Sequence, residues 1–458
     1  MRPSFEYVVD GFGFVRWNSP KGLLSARVEI DAISSPPHGL PFGPFERDLL
    51  RIARAATAAD RLSLRQGGSR SYYGRDLTWQ RSIRISVALE EASRWSALIG
   101  RVEEVLRFLT DDEWELACLQ LVKREALQAS LAPSPLTRDT EVALFSGGLD
   151  SAAGAAARAR RGVRHQTAVS IYGTAVRQVA QAGGVACLRK LGVPMSWVGV
   201  ATRLRGRPTE LETSFRSRGF LFLSVGAAIA AALDRQALYV YETGVGAVNL
   251  PLTHAQVGAE AARATHPGTL LKMEGLLSAA TERPFTINLP FGLLTKGELC
   301  RNVGSAAVDL ARSCSSCDEG EGHKTDPSEH CGICSSCVFR RIALATALGA
   351  AADPTCYRDQ ISATRDDYGL VALERQGIEL AGIAPRYSAL LDIDPETRHL
   401  ADYLASHGLP YSEAEDQVSQ LFRRYAAEVA AFMASARPTP VWSVRRMEED
   451  HALFSAVG

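Results

Sequence analysis

The spacing of apolar and polar residues predicts a mixture of strands and helices in the N-terminal part of the chain. Residues 5–17 and 26–30 have the apolar content of strands, and apolar and polar positions alternate over residues 83–89, as in a half-buried strand. Over residues 95–109 the apolar positions instead recur at three- and four-residue steps, which predicts a helix. We therefore expect an α+β module here, followed by a linker at residues 131–135.

The middle of the chain has the pattern of an α/β domain. Residues 141–145 form an apolar run with strand character, and residues 152–160, after a short turn, are rich in alanine, which favours helix. Residues 219–233 are the richest apolar run, but Ser224 and Gly226 interrupt it. It is also shorter than the ~20 residues needed to span a bilayer. We interpret this run as a buried helix.

Helical periodicity dominates after about residue 350. Residues 368–378 and 398–404 suggest helices with short loops, and residues 413–433 have a long amphipathic pattern. A helical extension of this kind would act either as a cap on the preceding domain or as a partner-binding face.

Length and charge set the organisation of the chain. Its 458 residues suit two or three domains, which we place at residues 1–135, 136–350 and 351–458. The 51 basic and 51 acidic residues balance, so no overall basic field favours nucleic-acid binding. No signal peptide or membrane span stands out, and we expect a cytoplasmic protein without a membrane partner.

A turn rich in glycine and serine separates the strand at residues 141–145 from the alanine-rich helix. A strand, such a turn and a helix start together suit a phosphate, because glycine lets backbone N–H groups approach an anion and the helix adds free N–H groups and the positive end of its dipole. A carboxylate is expected beside phosphates only where Mg²⁺ or a reacting group needs it, which singles out Asp150. The alternative is a plain surface turn. The predicted phosphate-binding residues are Ser146, Gly147, Gly148, Leu149, Asp150 and Ser151.

Five of the nine cysteines lie close together near the end of the central region. Cys331, Cys334 and Cys337 have C-x2-C-x2-C spacing, and two further cysteines lie upstream. Four thiolates spaced in this way suit tetrahedral Zn²⁺, and the alternatives are free thiols or an iron–sulfur cluster. The residues alone leave the fourth ligand open. Its candidates are Cys314, Cys317, His323 and His330.

The turn and the cysteines together resemble the QueC family of 7-cyano-7-deazaguanine synthases, which belongs to the PP-loop ATP pyrophosphatases of the N type. The S-G-G-x-D-S sequence of the turn resembles the family's pyrophosphate loop, and residues 313–340 resemble its cysteine-rich segment. Residues 217–224 and 289–298 resemble two segments between these motifs. The resemblance covers about residues 140–345. It implies a Rossmann-like parallel sheet of the adenine nucleotide alpha hydrolase kind, with Cys314 completing a four-cysteine zinc site.

The resemblance also implies an ATP-dependent reaction. In the family, 7-carboxy-7-deazaguanine is activated as an adenylate, ammonia displaces AMP to give an amide, and a second ATP dehydrates the amide to a nitrile. The cofactors implied are ATP, Mg²⁺ and Zn²⁺, and the substrate is a small deazapurine. Asp150, Arg218 and Lys296 are the candidate catalytic residues. The alternative for the two cations is a solvated charge at a helix end.

Two segments depart from the family pattern. Residues 171–178 keep only Tyr-Gly of the usual Tyr-Gly-Gln-Arg-His, and residues 249–256 lack Ser-Gly-Tyr-Pro-Asp-Cys-Arg. Extended chains of this kind resemble the QueC-like proteins of anti-phage defence systems, of the Qat and cyclic-nucleotide signalling types. We therefore expect an adenylating C–N ligase in defence, with a protein partner docked on the N- or C-terminal extension. The alternatives are a housekeeping synthase for queuosine or deazapurine-modified DNA, and a non-catalytic nucleotide-binding protein.

Overall fold

The computed structural model describes most of the chain in separate stretches. The described residues are 3–19, 22–34, 36–65, 80–122, 136–205, 211–250, 262–303, 330–332, 334–349, 352–353, 355–358, 368–383, 387–393 and 395–436. The predicted linker at residues 131–135 lies outside them, as do Cys314, Cys317, His323 and most of the segment 249–256. Predictions on those residues stay predictions.

One ten-stranded sheet organises the described part of the chain. Its strands are β1 (Ser4–Val9), β2 (Phe14–Ser19), β3 (Gly22–Ile30), β4 (Ser82–Leu89), β5 (Glu113–Gln120), β6 (Glu141–Leu144), β7 (Gln166–Tyr172), β8 (Met195–Arg205), β9 (Ala237–Val240) and β10 (Thr286–Asn288). Their order across the sheet is β10-β9-β6-β7-β8-β3-β2-β1-β4-β5. Strands β10, β9, β6, β7 and β8 are all parallel, and β7 is buried from Gln166 to Ile171, as expected when helices cover both faces. This confirms the predicted α/β class with a parallel sheet.

Helices cover the two faces of the sheet with two separate apolar clusters. The helices are α1 (Asp31–Ser34), α2 (Pro44–Leu62), α3 (Ala92–Ser96), α4 (Ile99–Thr110), α5 (Leu149–Arg160), α6 (Ala175–Lys190), α7 (Arg218–Ala232), α8 (Gly244–Val248), α9 (Pro267–Thr281), α10 (Lys296–Val303), α11 (Ser335–Leu348), α12 (Tyr368–Ile383), α13 (Tyr387–Ile393), α14 (Arg398–Ser406) and α15 (Tyr411–Ala436). Helices α2, α4, α7 and α9 build one cluster, and α5, α6 and α10 build the other. No described helix has the length and apolar character of a membrane span.

The N-terminal strands extend the same sheet. Strand β3 pairs antiparallel with β8, with Val28 opposite Leu204 and Ile30 opposite Thr202. The predicted strand at residues 83–89 is β4, and the predicted helix at residues 95–109 divides into α3 and α4. Trp95 and Trp114 are buried, so these aromatic side chains pack in the core rather than forming a binding surface.

The predicted C-terminal helices are confirmed and pack on the central domain. Helix α15 contains the amphipathic stretch predicted at residues 413–433. It packs against α12 and α14 and also contacts α8 and α11 of the central part. We expected this extension to act either as a cap or as a partner-binding face. Its packing on the central part of the chain supports the role of a cap.

A buried ion-pair cluster joins the N-terminal elements to α7. The Arg81 guanidinium lies 2.6 Å from both Asp60 and Asp112, and all three side chains are fully buried. Asp60 also accepts the backbone N–H of Ser217, the residue before α7, at 2.8 Å. Burial alone would raise the pKa of Asp60, but the charge of Arg81 and these hydrogen bonds outweigh it and lower that pKa. The cluster thus fixes α2, β4 and the start of α7 relative to one another.

Replacing Arg81 by methionine should destabilise the fold strongly, because the buried Asp60 would lose its counter-ion and the buried Asp112 would keep only Arg65. We expect a loss of about 3–5 kcal/mol in the free energy of unfolding, measured by urea denaturation. Arg84→Met is the matched control, since Arg84 pairs with Glu115 on the surface and should leave the midpoint unchanged. Equal midpoints for the two variants would contradict the role assigned to the cluster.

Candidate active site

The turn between β6 and α5 has the geometry that the sequence predicts for a phosphate site. Gly147 has φ of +81°, a left-handed conformation that favours glycine, and Gly148 precedes α5 in an extended conformation. Ser146 Oγ accepts the N–H of Gly148 at 3.2 Å, and Ser151 Oγ donates to the carbonyl of Gly148 at 3.0 Å. These bonds hold the turn in shape. The first N–H groups of α5 have no intrahelical acceptor and suit an anion.

A cavity of about 430 Å³ opens at this turn. Small-molecule sites have volumes of roughly 300–1,000 Å³, so the cavity is of suitable size. The predicted site residues that line it are Ser146, Gly148, Leu149, Asp150, Arg218 and Lys296. Gly147 and Ser151 belong to the turn without lining the cavity. Its wall also contains polar residues that the sequence did not single out, among them Arg177, Glu242, Arg340, Gln376, Tyr425 and Glu428.

Asp150 and Lys296 form an ion pair in the wall of the cavity. Lys296 Nζ lies 2.6 Å from Asp150 Oδ2, and the two side chains are 27% and 14% exposed. Burial acts to lower the pKa of Lys296, but the nearby carboxylates of Asp150 and Glu242 outweigh it and raise that pKa. Lys296 is therefore a fixed positive charge at the cavity rather than a solvated helix-end charge. Asp150 Oδ1 is buried without a hydrogen-bond partner among the described residues.

Glu242 places a second carboxylate beside this pair. It follows β9, whose neighbour in the sheet is β6, and its Oε1 accepts the N–H of Thr243 at 3.1 Å. Burial, reinforced by the charge of Asp150 and opposed by Lys296, raises the pKa of Glu242 to about 8. A Cβ atom at Gly246 would lie 2.3 Å from Glu242 Oε1, so only glycine leaves room for this carboxylate. The signal in the sequence was the position of Glu242 directly after an apolar run.

The two carboxylates fit a hard divalent cation such as Mg²⁺. Asp150 offers a buried oxygen that has no described partner, and Glu242 faces the same cavity. Carboxylate oxygens are the protein ligands that Mg²⁺ prefers, usually one or two of them together with substrate phosphates. Asp150 and Glu242 are therefore the residues that would hold the ion.

Three arginines add positive charge around the cavity. Arg218 is the first residue of α7 and is half-buried, Arg177 lies in the first turn of α6, and Arg340 lies in α11. Arg340 donates from Nε and Nη2 to Thr355 Oγ1 at 3.0 and 2.9 Å, which orients its guanidinium. The segment 171–178, where the family pattern changes, therefore still supplies an arginine to the cavity.

The C-terminal helices also contribute to the wall of the cavity. Gln376 of α12 and Tyr425 and Glu428 of α15 line the cavity. Tyr425 Oη donates to Gln376 Oε1 at 3.2 Å. Burial raises the pKa of Glu428 to about 7, although Thr295 donates a hydrogen bond to its carboxylate. In the sequence these residues look like ordinary members of an amphipathic pattern.

The three described cysteines of the cluster come together as a potential metal site. The sulfur atoms of Cys331, Cys334 and Cys337 all lie within 4.8 Å of one another, with 3.7 Å between Cys331 and Cys337. Sulfurs around tetrahedral Zn²⁺ at about 2.3 Å would be about 3.8 Å apart, so the thiols fit this ion. In the described part of the chain His330 does not join the group. Cys314, the expected fourth ligand, lies outside the described residues.

The thiol cluster also positions part of the cavity wall. Cys334 is the N-cap of α11, and Cys337 lies in its first turn. The same turn brings Ser335 and Ser336 to the cavity. A zinc ion held by these thiols would therefore fix the start of a helix that borders the cavity.

We expect one zinc ion per chain in the wild-type protein, measured by inductively coupled plasma mass spectrometry. Cys337→Ser should lose most of this zinc and lower the thermal unfolding midpoint by several degrees, because metal binding contributes folding free energy. Cys118→Ser is the control, since Cys118 lies half-buried in β5 at the far edge of the sheet. Wild-type protein that contains no zinc would refute the assignment.

Glu242 should make stability depend on pH. Its carboxyl has a pKa of about 8 in the folded protein, above its ordinary 4.5, so the stabilising contribution of its protonated form is complete below about pH 4.5 and is lost as the pH rises through about 8. Glu242→Gln cannot titrate. Between about pH 4.5 and pH 8, the free energy of unfolding of Glu242→Gln should therefore fall less than that of the wild type, as measured by urea titrations. The exposed Glu413→Gln is the control. Equal pH dependence of Glu242→Gln and the wild type would contradict the raised pKa.

Comparison with known protein families gives a match to the part of the chain that contains the turn and the cysteine cluster. Residues 140–348 match the family model of the queuosine biosynthesis protein QueC. No curated protein and no solved structure matches the chain. The matched range contains the turn, Glu242, Lys296 and the three described thiols, whereas Tyr425 and Glu428 lie beyond it. The match covers less than half of the chain, and it supports a QueC-like domain of the PP-loop type at residues 140–348.

Proposed function

We propose that this protein uses ATP to activate a carboxylate as an acyl adenylate, which a nitrogen nucleophile then attacks. The observation that carries the proposal is the convergence of the glycine-rich turn, cations and two carboxylates on one cavity. The match of residues 140–348 to QueC supports it.

The turn and the cations suit the phosphates of ATP. Backbone N–H groups of the first turn of α5 would bind phosphate oxygens, and the helix dipole favours their negative charge. Arg218 and Lys296 would neutralise the charge that collects on departing pyrophosphate. When bound, Mg²⁺ at Asp150 and Glu242 would supply further positive charge to the phosphates.

The chemistry divides into two balanced steps. First, an oxygen of the substrate carboxylate attacks the α-phosphorus of ATP, an oxygen–phosphorus bond forms, and the bond to pyrophosphate breaks. Second, an amine nitrogen attacks the carbonyl carbon, the bond to AMP breaks, and the nitrogen loses a proton. A carboxylate is a poor electrophile, and the AMP leaving group removes that barrier. The protein would contribute mainly by placing the reacting groups and stabilising charge.

We further propose a 7-deazaguanine carboxylate as substrate and an amine of a partner protein as acceptor, in anti-phage defence. The QueC match supports the first part, and the side chains of Phe339 and Gln376 provide apolar and amide surfaces of the kind that suit a heterocyclic base. The altered segments 171–178 and 249–256, together with regions outside the matched domain, support the second. A housekeeping nitrile synthase is the competing function.

Mutating the ion pair should abolish adenylation without unfolding the protein. Asp150→Asn and Lys296→Met should each reduce the rate of AMP formation by about 100-fold or more, because Lys296 would neutralise the departing pyrophosphate and Asp150 would hold both Lys296 and the divalent ion. Lys190→Met, at the exposed end of α6, is the control and should retain full activity. Circular dichroism melts would establish that the variants fold. A folded Asp150→Asn variant with wild-type AMP formation would remove Asp150 from the mechanism.

Product analysis distinguishes the acceptors. The purified protein would be incubated with ATP, Mg²⁺ and 7-carboxy-7-deazaguanine, first with ammonium and then with candidate partner proteins, and analysed by mass spectrometry. We expect AMP together with a mass addition on a partner. A nitrile formed from ammonium would instead favour the housekeeping function, and the absence of AMP under every condition would overturn the proposal.

A further inference from the structure

Helix α15 holds the turn that carries Lys296. Residues 293–298 comprise the three residues before α10 and the first three residues of that helix, and we refer to them as the turn. Arg424 Nη2 donates to the carbonyl of Leu293 at 2.7 Å, and Arg424 Nε forms an ion pair with Glu298 Oε1 at 2.7 Å. One arginine of α15 therefore contacts both ends of the turn.

A second side chain of α15 contacts the middle of the same turn. Thr295 Oγ1 donates to Glu428 Oε1 at 2.5 Å. A Cβ atom at Gly297 would lie 2.7 Å from both Glu428 Oε1 and Thr346 Cγ2, so glycine is what allows α15 and α11 to come this close. Arg424 and Glu428 are one helical turn apart, and their side chains reach the same side of α15.

These contacts fall on the capping box of α10. Glu298 Oε2 accepts the N–H of Thr295 at 2.9 Å, and Thr295 Oγ1 accepts the N–H of Glu298 at 3.1 Å. Arg424 binds the remaining carboxylate oxygen of Glu298, and Glu428 accepts the hydroxyl proton of Thr295. Lys296 stands between the two capping residues, so its direction towards Asp150 depends on the shape of this box.

We propose that Arg424 and Glu428 are positioning residues for Lys296, and that α15 is therefore an integral part of the catalytic site. They act through the capping box to keep Lys296 Nζ against Asp150. The catalytic part of this inference rests on the proposed adenylation, whereas the geometric part does not. Both residues lie outside the range 140–348 that matches QueC, so the C-terminal extension supplies a part of the site that the matched domain lacks.

The geometric part is tested by chemical labelling of lysines in the full-length protein. Acetylation by an N-hydroxysuccinimide ester, followed by peptide mass spectrometry, would compare Lys296 with the exposed Lys190 as internal reference. Arg424→Ala and Glu428→Ala should raise the relative labelling rate of Lys296 several-fold, because its amine is no longer held by Asp150. Glu428→Gln keeps an oxygen that accepts from Thr295 and should recover most of the protection. Arg423→Ala and Glu413→Ala, on the exposed side of α15, are matched controls.

The catalytic part is tested by AMP formation in the same variants. A misplaced reacting group costs up to about 100-fold in rate, so Arg424→Ala and Glu428→Ala should lower kcat about 10- to 100-fold with a smaller change in KM for ATP. If Glu428→Ala does not fold, Thr295→Val removes the same hydrogen bond and is expected to give the same result. Unchanged Lys296 labelling in folded variants would overturn the inference. Absence of AMP in the wild type would overturn the proposed function instead, and the labelling result would still decide the positioning role.

Discussion

Charged groups that are partly withdrawn from water need fixed partners, and this constraint organises the cavity. The carboxylate of Asp150 acts on the pKa of both Lys296 and Glu242, so the three side chains must be held at defined places. Each comes from the end of a different element: the first turn of α5, the start of α10 and the end of β9. The adjacency of β6 and β9 brings two of these ends to one edge of the sheet.

The regions on either side of residues 140–348 each contact a segment that carries a cation of the cavity, Arg218 on one side and Lys296 on the other. On the N-terminal side, Asp60 is held by Arg81 and accepts the N–H of Ser217, which fixes the residue directly before Arg218. On the C-terminal side, α15 contacts the turn that carries Lys296. Residues 140–348 contain the nucleotide-type motifs, but contacts from outside that range hold Ser217, next to Arg218, and the turn that carries Lys296.

Features that depend on neighbours in sequence are the ones that sequence analysis predicts well. The turn at residues 146–151 is such a feature, because its glycines, its serines and the following helix act locally. The same holds for α15, whose apolar positions repeat with helical spacing. Glu242 follows an apolar run in the sequence, but only the pairing of β9 with β6 brings it to Asp150. In the sequence, Glu428 and Tyr425 are ordinary positions of one amphipathic helix, and only the packing of that helix places them at the cavity. The pattern of strands likewise does not reveal that β3 pairs with β8.

The pairing of β3 with β8 has a consequence for biosynthesis. Strand β3 pairs with β2 on one side and with β8 on the other, and Ile30 lies opposite Thr202. At ribosomal rates, the chain between these residues takes roughly 10–30 s to make. Throughout that time the outer edge of β3 on a nascent chain lacks its native partner, and an open strand edge readily pairs with other chains. The continuous sheet can therefore form only after β8 has been made, and until then the edge of β3 is open to pairing with other chains.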